Sequence, residues 1–257
     1  QAASEIVPMS ERSEKRVLVT GASRGAGRAI AAACARQRWK VVIHYNANRE
    51  SADALAGEIG DACLGLIGQD LGEAGAGTEL WAKADTEFGP LDALVNNAGI
   101  YRATPLKDDA QWESGWVDQI AVNLQAPCDL MRAAINAFQS RGGGAIVNIA
   151  SRAAYRGDGP DHCAYAAVKA GLVAAAKTLA RAHSGENILI YTLTPGWIET
   201  DMAPSRVEAR AAAVADIPLG KVAQPEEIAA MTAFLLSGDC PSATGSVIDI
   251  NGASYVR

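Results

Sequence analysis

The amino-acid sequence predicts an α/β fold: one doubly wound, seven-stranded parallel sheet with helices on both faces. Three observations carry that expectation. Short β-branched runs alternate with longer, alanine-rich stretches along the chain. A glycine turn, Gly21, Gly25 and Gly27, joins the first run to the first helical stretch. The cluster Asn96-Asn97-Ala98-Gly99 closes a later run, at the strand end where open α/β sheets bind ligands. A chain of 257 residues suits one domain of this type, with right-handed crossovers between its strands.

The elements follow in order. Residues 16–20 form a short β-branched run closed by glycine, as expected of a buried parallel strand. The turn after them opens a helix at 26–37, which aims backbone N–H groups and a helix N-terminus at a pyrophosphate. Its glycines are spaced four and then two, unlike the GxGxxG pattern, and an ordinary tight turn is the alternative. A strand at 40–45, a helix at 49–59 and a strand at 63–67 lead to Gln69-Asp70-Leu71, where Asp70 is alternatively a helix cap. A helix at 78–88 stops at Gly89-Pro90, and the strand at 91–95 delivers the small residues Ala98 and Gly99, past which a cofactor ring can approach the backbone. Residues 100–114 read as irregular and 115–138 as one long helix. Asn123 inside it is mildly unfavourable, because its side chain competes for backbone hydrogen bonds. The strand at 144–149 brings Ser151 to the same sheet edge, followed by an enlarged loop at 152–161. A helix at 163–183 and a strand at 188–194 precede Pro195-Gly196. Residues 201–216 are alanine-rich and helical, another helix ends at Leu236, and the last strand spans 246–250.

Tyr165 and Lys169 stand four residues apart, on one helix face and a turn apart. A free phenol titrates near ~10, and an ammonium held beside it favours the phenolate, which makes a tunable acid/base. The alternative is a pair on a solvated face. Together with Thr20-Gly21-Ala22-Ser23-Arg24-Gly25-Ala26-Gly27, Asn96-Asn97-Ala98-Gly99, Ser151 and Pro195-Gly196, the pair resembles the short-chain dehydrogenase/reductase family of NAD(P)-dependent oxidoreductases. The resemblance spans residues 16–253, and the run 217–227 is particularly similar to the 3-oxoacyl-carrier-protein reductase branch.

The resemblance implies a ketone reductase or secondary-alcohol dehydrogenase acting on a small molecule. Ser151 would bind the substrate carbonyl and Tyr165 would transfer the proton. Lys169 would bind the nicotinamide ribose, and Asn123 would distort its helix and hold a water on the lysine. Cofactor contacts are implied for Gly21, Ser23, Arg24, Gly25, Ala26, Gly27, Tyr45, Asn46, Asp70, Leu71, Asn97, Ala98, Gly99, Tyr165, Lys169, Pro195, Gly196, Ile198 and Thr200. A substrate lid around 199–216 and a homotetramer paired through the 163–183 helix and the long helix before it complete the expectation. Two rivals stand beside it. One is a sugar or polar-alcohol dehydrogenase whose pocket is lined by Arg102, Arg152, Arg156 and Tyr155; the other is a catalytically idle NADP-binding protein on the same fold.

NADP(H) is expected over NAD(H). NAD enzymes place a carboxylate about ~20 residues past the glycine turn, on the ribose 2′-hydroxyl. Here the second strand ends Val42-Ile43-His44-Tyr45-Asn46, with no carboxylate before Glu50. Arg24 matches the basic residue of NADP-using relatives, with Arg49 as a second candidate; the alternative for Arg24 is a solvated loop charge.

Composition narrows the remaining classes. With 49% apolar and 20% charged residues the chain has material for a core and no signature of disorder. A net charge of -6 without Lys/Arg clusters argues against nucleic acid and anionic membranes as partners. Cys34, Cys63, Cys128, Cys163 and Cys240 are scattered, without metal spacing, and read as reduced residues of a cytoplasmic protein. His44, His162 and His183 are unclustered, so no metal is expected. Residues 1–14 read as a loose leader before a single dinucleotide-binding catalytic domain at 15–257. The apolar tract 164–182 is read as too charged to span a bilayer.

Overall fold

The computed structural model describes residues 14–200 and 207–257. Nearly all of the expected leader, and residues 201–206 of the expected lid, lie outside the described residues. The sheet has seven strands, β1 (Lys15–Val19), β2 (Trp39–Tyr45), β3 (Cys63–Gly68), β4 (Ala93–Asn96), β5 (Gly144–Ile149), β6 (Ile188–Pro195) and β7 (Val247–Ile250). They are all parallel, in the order β3-β2-β1-β4-β5-β6-β7. The chain therefore winds one way from β1 to β3 and the other way from β4 onward. Connections leave β1 and β4 in opposite directions, which opens a crevice over their carboxyl ends.

The helices are α1 (Gly25–Arg36), α2 (Arg49–Ile59), α3 (Ala76–Phe88), α4 (Asp109–Ile120), α5 (Ala126–Gln139), α6 (Ala153–Arg156), α7 (Cys163–His183), α8 (Val207–Ala215) and α9 (Pro225–Ser237). Both sheet faces are covered, which explains why the strands read as continuous apolar runs. In β1, Val17 and Val19 face one core with Ile30 of α1 and Ile228 of α9, whereas Leu18 faces the other with Leu80 of α3, Leu130 of α5 and Leu172 of α7.

Two stretches differ from the expectation. The helical region expected at 115–138 begins earlier, because the Asp108 carboxylate accepts the Gln111 N–H at 3.0 Å and caps α4. It is also interrupted: Ala121–Gln125 forms a π turn between α4 and α5, with Asn123 at its centre. The loop at 152–161 contains the single turn α6, followed by a 3-10 turn at Pro160–His162. Helix α7 needs a correction of another kind. Pro160–Glu186, of which it is the main part, is long and apolar enough to cross a membrane, with a mean hydropathy of 1.3, so its charges do not exclude it. Val168, Leu172, Val173, Ala176 and Ala180 are buried in the core beneath the sheet.

The entry into β4 is clamped from both sides. Asp85 of α3 accepts both Arg141 terminal nitrogens at 2.6 Å and the Leu91 N–H at 3.0 Å. Burial opposes ionisation of Asp85, but these donors outweigh it and hold the carboxyl below its ordinary value. Charge-assisted bonds of this kind contribute about 1.5–3 kcal/mol. Asp85→Asn should lower the melting temperature by roughly 3–12 °C; an unchanged melting curve would show that the clamp carries no stability.

Candidate active site

The glycine turn after β1 is built by side chains of its neighbours. Gly21 has φ +61°, a conformation costly for any residue with a Cβ. Its N–H is accepted by His44 Nδ1 at 3.0 Å, while His44 Nε2 donates to the Gln69 carbonyl at 3.0 Å. That pair of partners leaves the imidazole neutral with its proton on Nε2. On the other side, the Thr20 hydroxyl oxygen accepts the Asn97 and Ala98 N–H groups at 2.9 and 3.0 Å and donates to the Val95 carbonyl at 3.2 Å. Asn97 Nδ2 donates to the Thr20 and Gly21 carbonyls at 2.9 and 3.2 Å. A Cβ on Gly27 would run into the Gly21 carbonyl and the Asn97 amide, so the first turn of α1 seats directly on this network. Thr20 and His44 carry no cofactor role in the sequence reading. Their signal was present only as a polar residue ending each of two adjacent strands.

A cleft of about 730 Å³ runs along these strand ends. Every residue of the expected cofactor set lines it except Tyr45. Tyr45 is buried, and its ring lies against Gly68, where a Cβ would sit 2.8 Å from the phenol oxygen. His44, Ala47 and Asn48 take its place along the rim. Asp70 lines the cleft with Oδ1 accepting the Gly72 N–H at 2.8 Å, so it closes a local turn rather than capping α3. Arg24 lines the cleft at the residue before α1 and is exposed. Arg49 does not line it; its guanidinium pairs with Asp53 at 3.4 Å.

At the far end of the cleft Ser151, Tyr165 and Lys169 converge. Ser151 stands close enough to the Tyr165 phenol to act against the rise of its pKa, and its Oγ accepts the Ala153 N–H at 3.1 Å. Lys169 is 4% exposed and donates to the Ile149 carbonyl at 3.0 Å. Its Nζ stands 5.8 Å from the centre of the Tyr165 ring. Asn123 is fully buried: its amide donates to the Ile100 carbonyl at 2.9 Å and to Gln119 Oε1 at 2.8 Å, and its oxygen accepts the Ile100 N–H at 3.0 Å. Gln119, one turn earlier and also absent from the sequence reading, anchors the pair by donating to the Arg102 carbonyl at 3.0 Å. Gly99 separates Asn123 from the lysine: a Cβ there would lie 2.9 Å from Asn123 Oδ1 and 3.6 Å from Lys169 Nζ.

The electrostatics correct one expectation. Burial pushes the Tyr165 phenol up to about 12, with the neighbouring Ser151 acting against it and Asp158 adding to it. The phenol is therefore protonated at neutral pH, because burial outweighs the pull of the ammonium expected from the spacing. Burial also lowers Lys169 to about 8, within reach of neutral pH.

An aromatic wall faces these groups. Tyr101 stacks on His162 with centroids 4.0 Å apart, and meets Tyr165 and Trp197 edge-on at 4.8 and 5.8 Å. Arg102, Arg152 and Arg156 line the cleft; Tyr155 does not, and packs instead against Lys177, Tyr255 and Arg257. Glu199 and Arg210 form an ion pair that joins the segment after β6 to α8. No group of three or more metal-ligating side chains occurs among the described residues.

The chain is similar to known proteins along most of its length. A family model described as Enoyl-(Acyl carrier protein) reductase matches residues 21–253. The chain is similar to the 3-oxoacyl-[acyl-carrier-protein] reductase FabG of Escherichia coli, 37% identical over 243 residues covering 94% of this chain and 98% of the relative. It is also similar to the proteins of that name from Vibrio cholerae, at 35%, and Staphylococcus aureus, at 33%, with the same coverage.

His44 yields a pH signature. Burial lowers its pKa below the ordinary 6.5, although the Gln69 carbonyl and Asp70 act the other way. The unfolded chain therefore takes up the proton first, and stability present above about 6.5 is lost as pH falls below it. His44→Asn keeps a hydrogen-bonding side chain without a titrating group. The fall in melting temperature from pH 7.5 to 5.5 should be smaller in this variant than in the wild type; equal slopes would show that His44 does not report on the fold.

Proposed function

The chain belongs to the short-chain dehydrogenase/reductase family, and on that premise we propose that it reduces a 3-oxoacyl-type ketone with NADP(H). As a member it is an oxidoreductase of the CH–OH/C=O type and uses a nicotinamide cofactor. The observation that carries the finer reading is that the Ser151 and Tyr165 hydroxyls line one cleft together with the buried Lys169. Two hydroxyls converging on one point suit a substrate oxygen that gains negative charge. Reduction of a carbon–carbon double bond would instead need a proton delivered to carbon.

The cleft fits a dinucleotide. The Gly21–Gly27 turn packs so closely on Ala98, Asn97 and its own carbonyl that only glycine fits, and with the N-terminus of α1 it lines the cleft with backbone suited to the pyrophosphate. Asp70 and Leu71 border the adenine end, and Asn97, Ala98, Gly99, Pro195, Gly196, Ile198 and Thr200 border the nicotinamide end. Bound there, the nicotinamide supplies the hydride in reduction or accepts it in oxidation.

The protein supplies orientation and the proton. In the reductive direction the Ser151 hydroxyl donates to the carbonyl oxygen and fixes its position. Tyr165, protonated at neutral pH, releases its hydroxyl proton to the same oxygen as negative charge develops on it. Lys169, with its pKa near neutrality, binds the cofactor ribose and is suited to returning a proton to the phenolate. Asn123 connects the lysine to solvent through water from within its π turn. Tyr101, His162 and Trp197 wall the substrate side and help keep bulk water from the reacting oxygen.

Preference for the 2′-phosphate rests on Arg24 and on a strand end without a carboxylate, where Asn46, Ala47 and Asn48 border the cleft. The homotetramer rests on apolar surface left on adjoining helices: Val117 and Ile120 of α4 are 67% and 43% exposed, and Ala174 of α7 is exposed. A monomeric mass by light scattering at micromolar protein would overturn the tetramer. Five free cysteines suit a reducing compartment such as the cytoplasm.

Two substitutions separate chemistry from cofactor choice. Tyr165→Phe should lower turnover by about 10²–10⁴-fold and leave NADPH binding intact. Arg24→Ala should weaken NADPH by about tenfold, with NADH nearly unaffected, because one exposed charge-assisted bond is lost. Stopped-flow binding of both cofactors and turnover of a 3-oxo ester measure both effects. Near-normal turnover in the first variant would remove Tyr165 as the acid, and equal losses for the two cofactors in the second would remove the phosphate contact.

A further inference from the structure

Arg152 follows Ser151, lines the same cleft and is only 7% exposed. Its backbone is fully engaged: the N–H donates to the Pro195 carbonyl at 2.9 Å, and the carbonyl accepts the Tyr155 and Arg156 N–H groups at 3.1 Å each. Its guanidinium is not. Nη1 is buried and has no hydrogen-bond partner among the described residues. The carboxylate beside it, Asp216, lies 3.5 Å from Nη1 and is hydrogen-bonded to Arg156 at 2.5 Å. The other carboxylate nearby, Asp158, accepts the Tyr101 hydroxyl at 3.3 Å and the Gly159 N–H at 2.8 Å. Asp158 is thus engaged elsewhere, and Arg152 shares the single carboxylate of Asp216 with Arg156, which holds it more closely.

A buried cation with an unused donor is costly unless an anion completes it, and such groups in a cleft mark a place for one. Arg152, Tyr101, Asp158 and Tyr165 line one cleft, with Tyr101 meeting Tyr165 at right angles and its hydroxyl bonded to Asp158, so this donor and the proton-transferring pair serve one substrate space. An ester or thioester carbonyl accepts from a guanidinium without neutralising it. A carboxylate accepts two parallel N–H groups and also cancels the charge.

We propose that Arg152 binds a free carboxylate of the substrate, so that the compound reduced is a small 3-oxo acid carrying its carboxylate beside the ketone, and not only a neutral acyl ester or thioester. The proposal rests on the ketoreductase reading above and narrows its substrate class.

The test uses the full chain with NADPH and two compounds of matched skeleton, acetoacetate and ethyl acetoacetate. The wild type should favour acetoacetate in kcat/KM by roughly ten- to a hundredfold, the size of a charge-assisted bond. Arg152→Gln should collapse that ratio toward one, chiefly through KM for the acid. A second measurement needs no variant: malonate should compete with ethyl acetoacetate in the wild type, and dimethyl malonate should not. A wild type that turns over the ester without preferring the acid, a ratio unchanged in Arg152→Gln, or no competition by malonate would each overturn the carboxylate site while leaving the ketoreductase reading in place. Inertness of both compounds would remove that reading and the proposal together.

Discussion

The Thr20 hydroxyl tying the end of β1 to the start of the Asn97-Ala98 segment is the interaction on which the rest of this site depends. Where the winding direction of a parallel sheet reverses, backbone groups beyond the last ladder bonds lose their strand partners, yet they remain buried and must be satisfied. Thr20, His44 and Asn97 satisfy them from three neighbouring strand ends. The result is a crevice whose floor is held by side chains but whose surface still presents backbone, as binding of a phosphate-rich ligand requires. The positive φ of Gly21 and the close seating of α1 follow from that arrangement.

Desolvation then sets the acid/base properties. Burial moves the phenol of Tyr165 up and the ammonium of Lys169 down, so one residue stores a proton at neutral pH while the other exchanges one. The lysine keeps its position through the Ile149 carbonyl at the end of β5, and the adjoining wall is set by Asn123, Gln119 and Ile100. A π turn inserts an extra residue into the helical ladder, which rotates the side chains after it relative to those before it. In this chain Asn123 occupies that turn, where its side chain reaches the backbone of Ile100.

The substrate side is assembled from segments far apart in sequence. Arg156 and Arg152 approach Asp216 just past α8, while Arg210 of α8 pairs with Glu199 after β6. These ion pairs tie the 152–162 region and the segment after β6 to α8, the part of the expected lid that is described. The polar links hold the rim, and the stacked aromatic residues Tyr101 and His162 form the wall.

Local sequence determined much of this protein. The strand runs and the glycine turn were legible from short-range chemistry, strand burial on both faces and φ freedom, whereas Asn97, Ser151, Tyr165 and Lys169 were singled out by the family resemblance and the fold brings them to one cleft. The expected cofactor set also fell on the cleft, apart from Tyr45, whose place at the end of β2 does not reveal that its ring turns into the core toward Gly68. What only tertiary structure decided involves partners distant in the chain. His44 and Gln119 look unremarkable until their partners Gly21, Gln69 and Arg102 are brought beside them. Arg49 looked available until Asp53 took it. The direction of the Tyr165 shift could not be read from its spacing to Lys169, because four residues fix which helix face a charge occupies but not how much water its neighbours exclude. Desolvation is a property of everything packed around a group, and for Tyr165, Lys169 and Arg152 that surrounding comes from the whole fold.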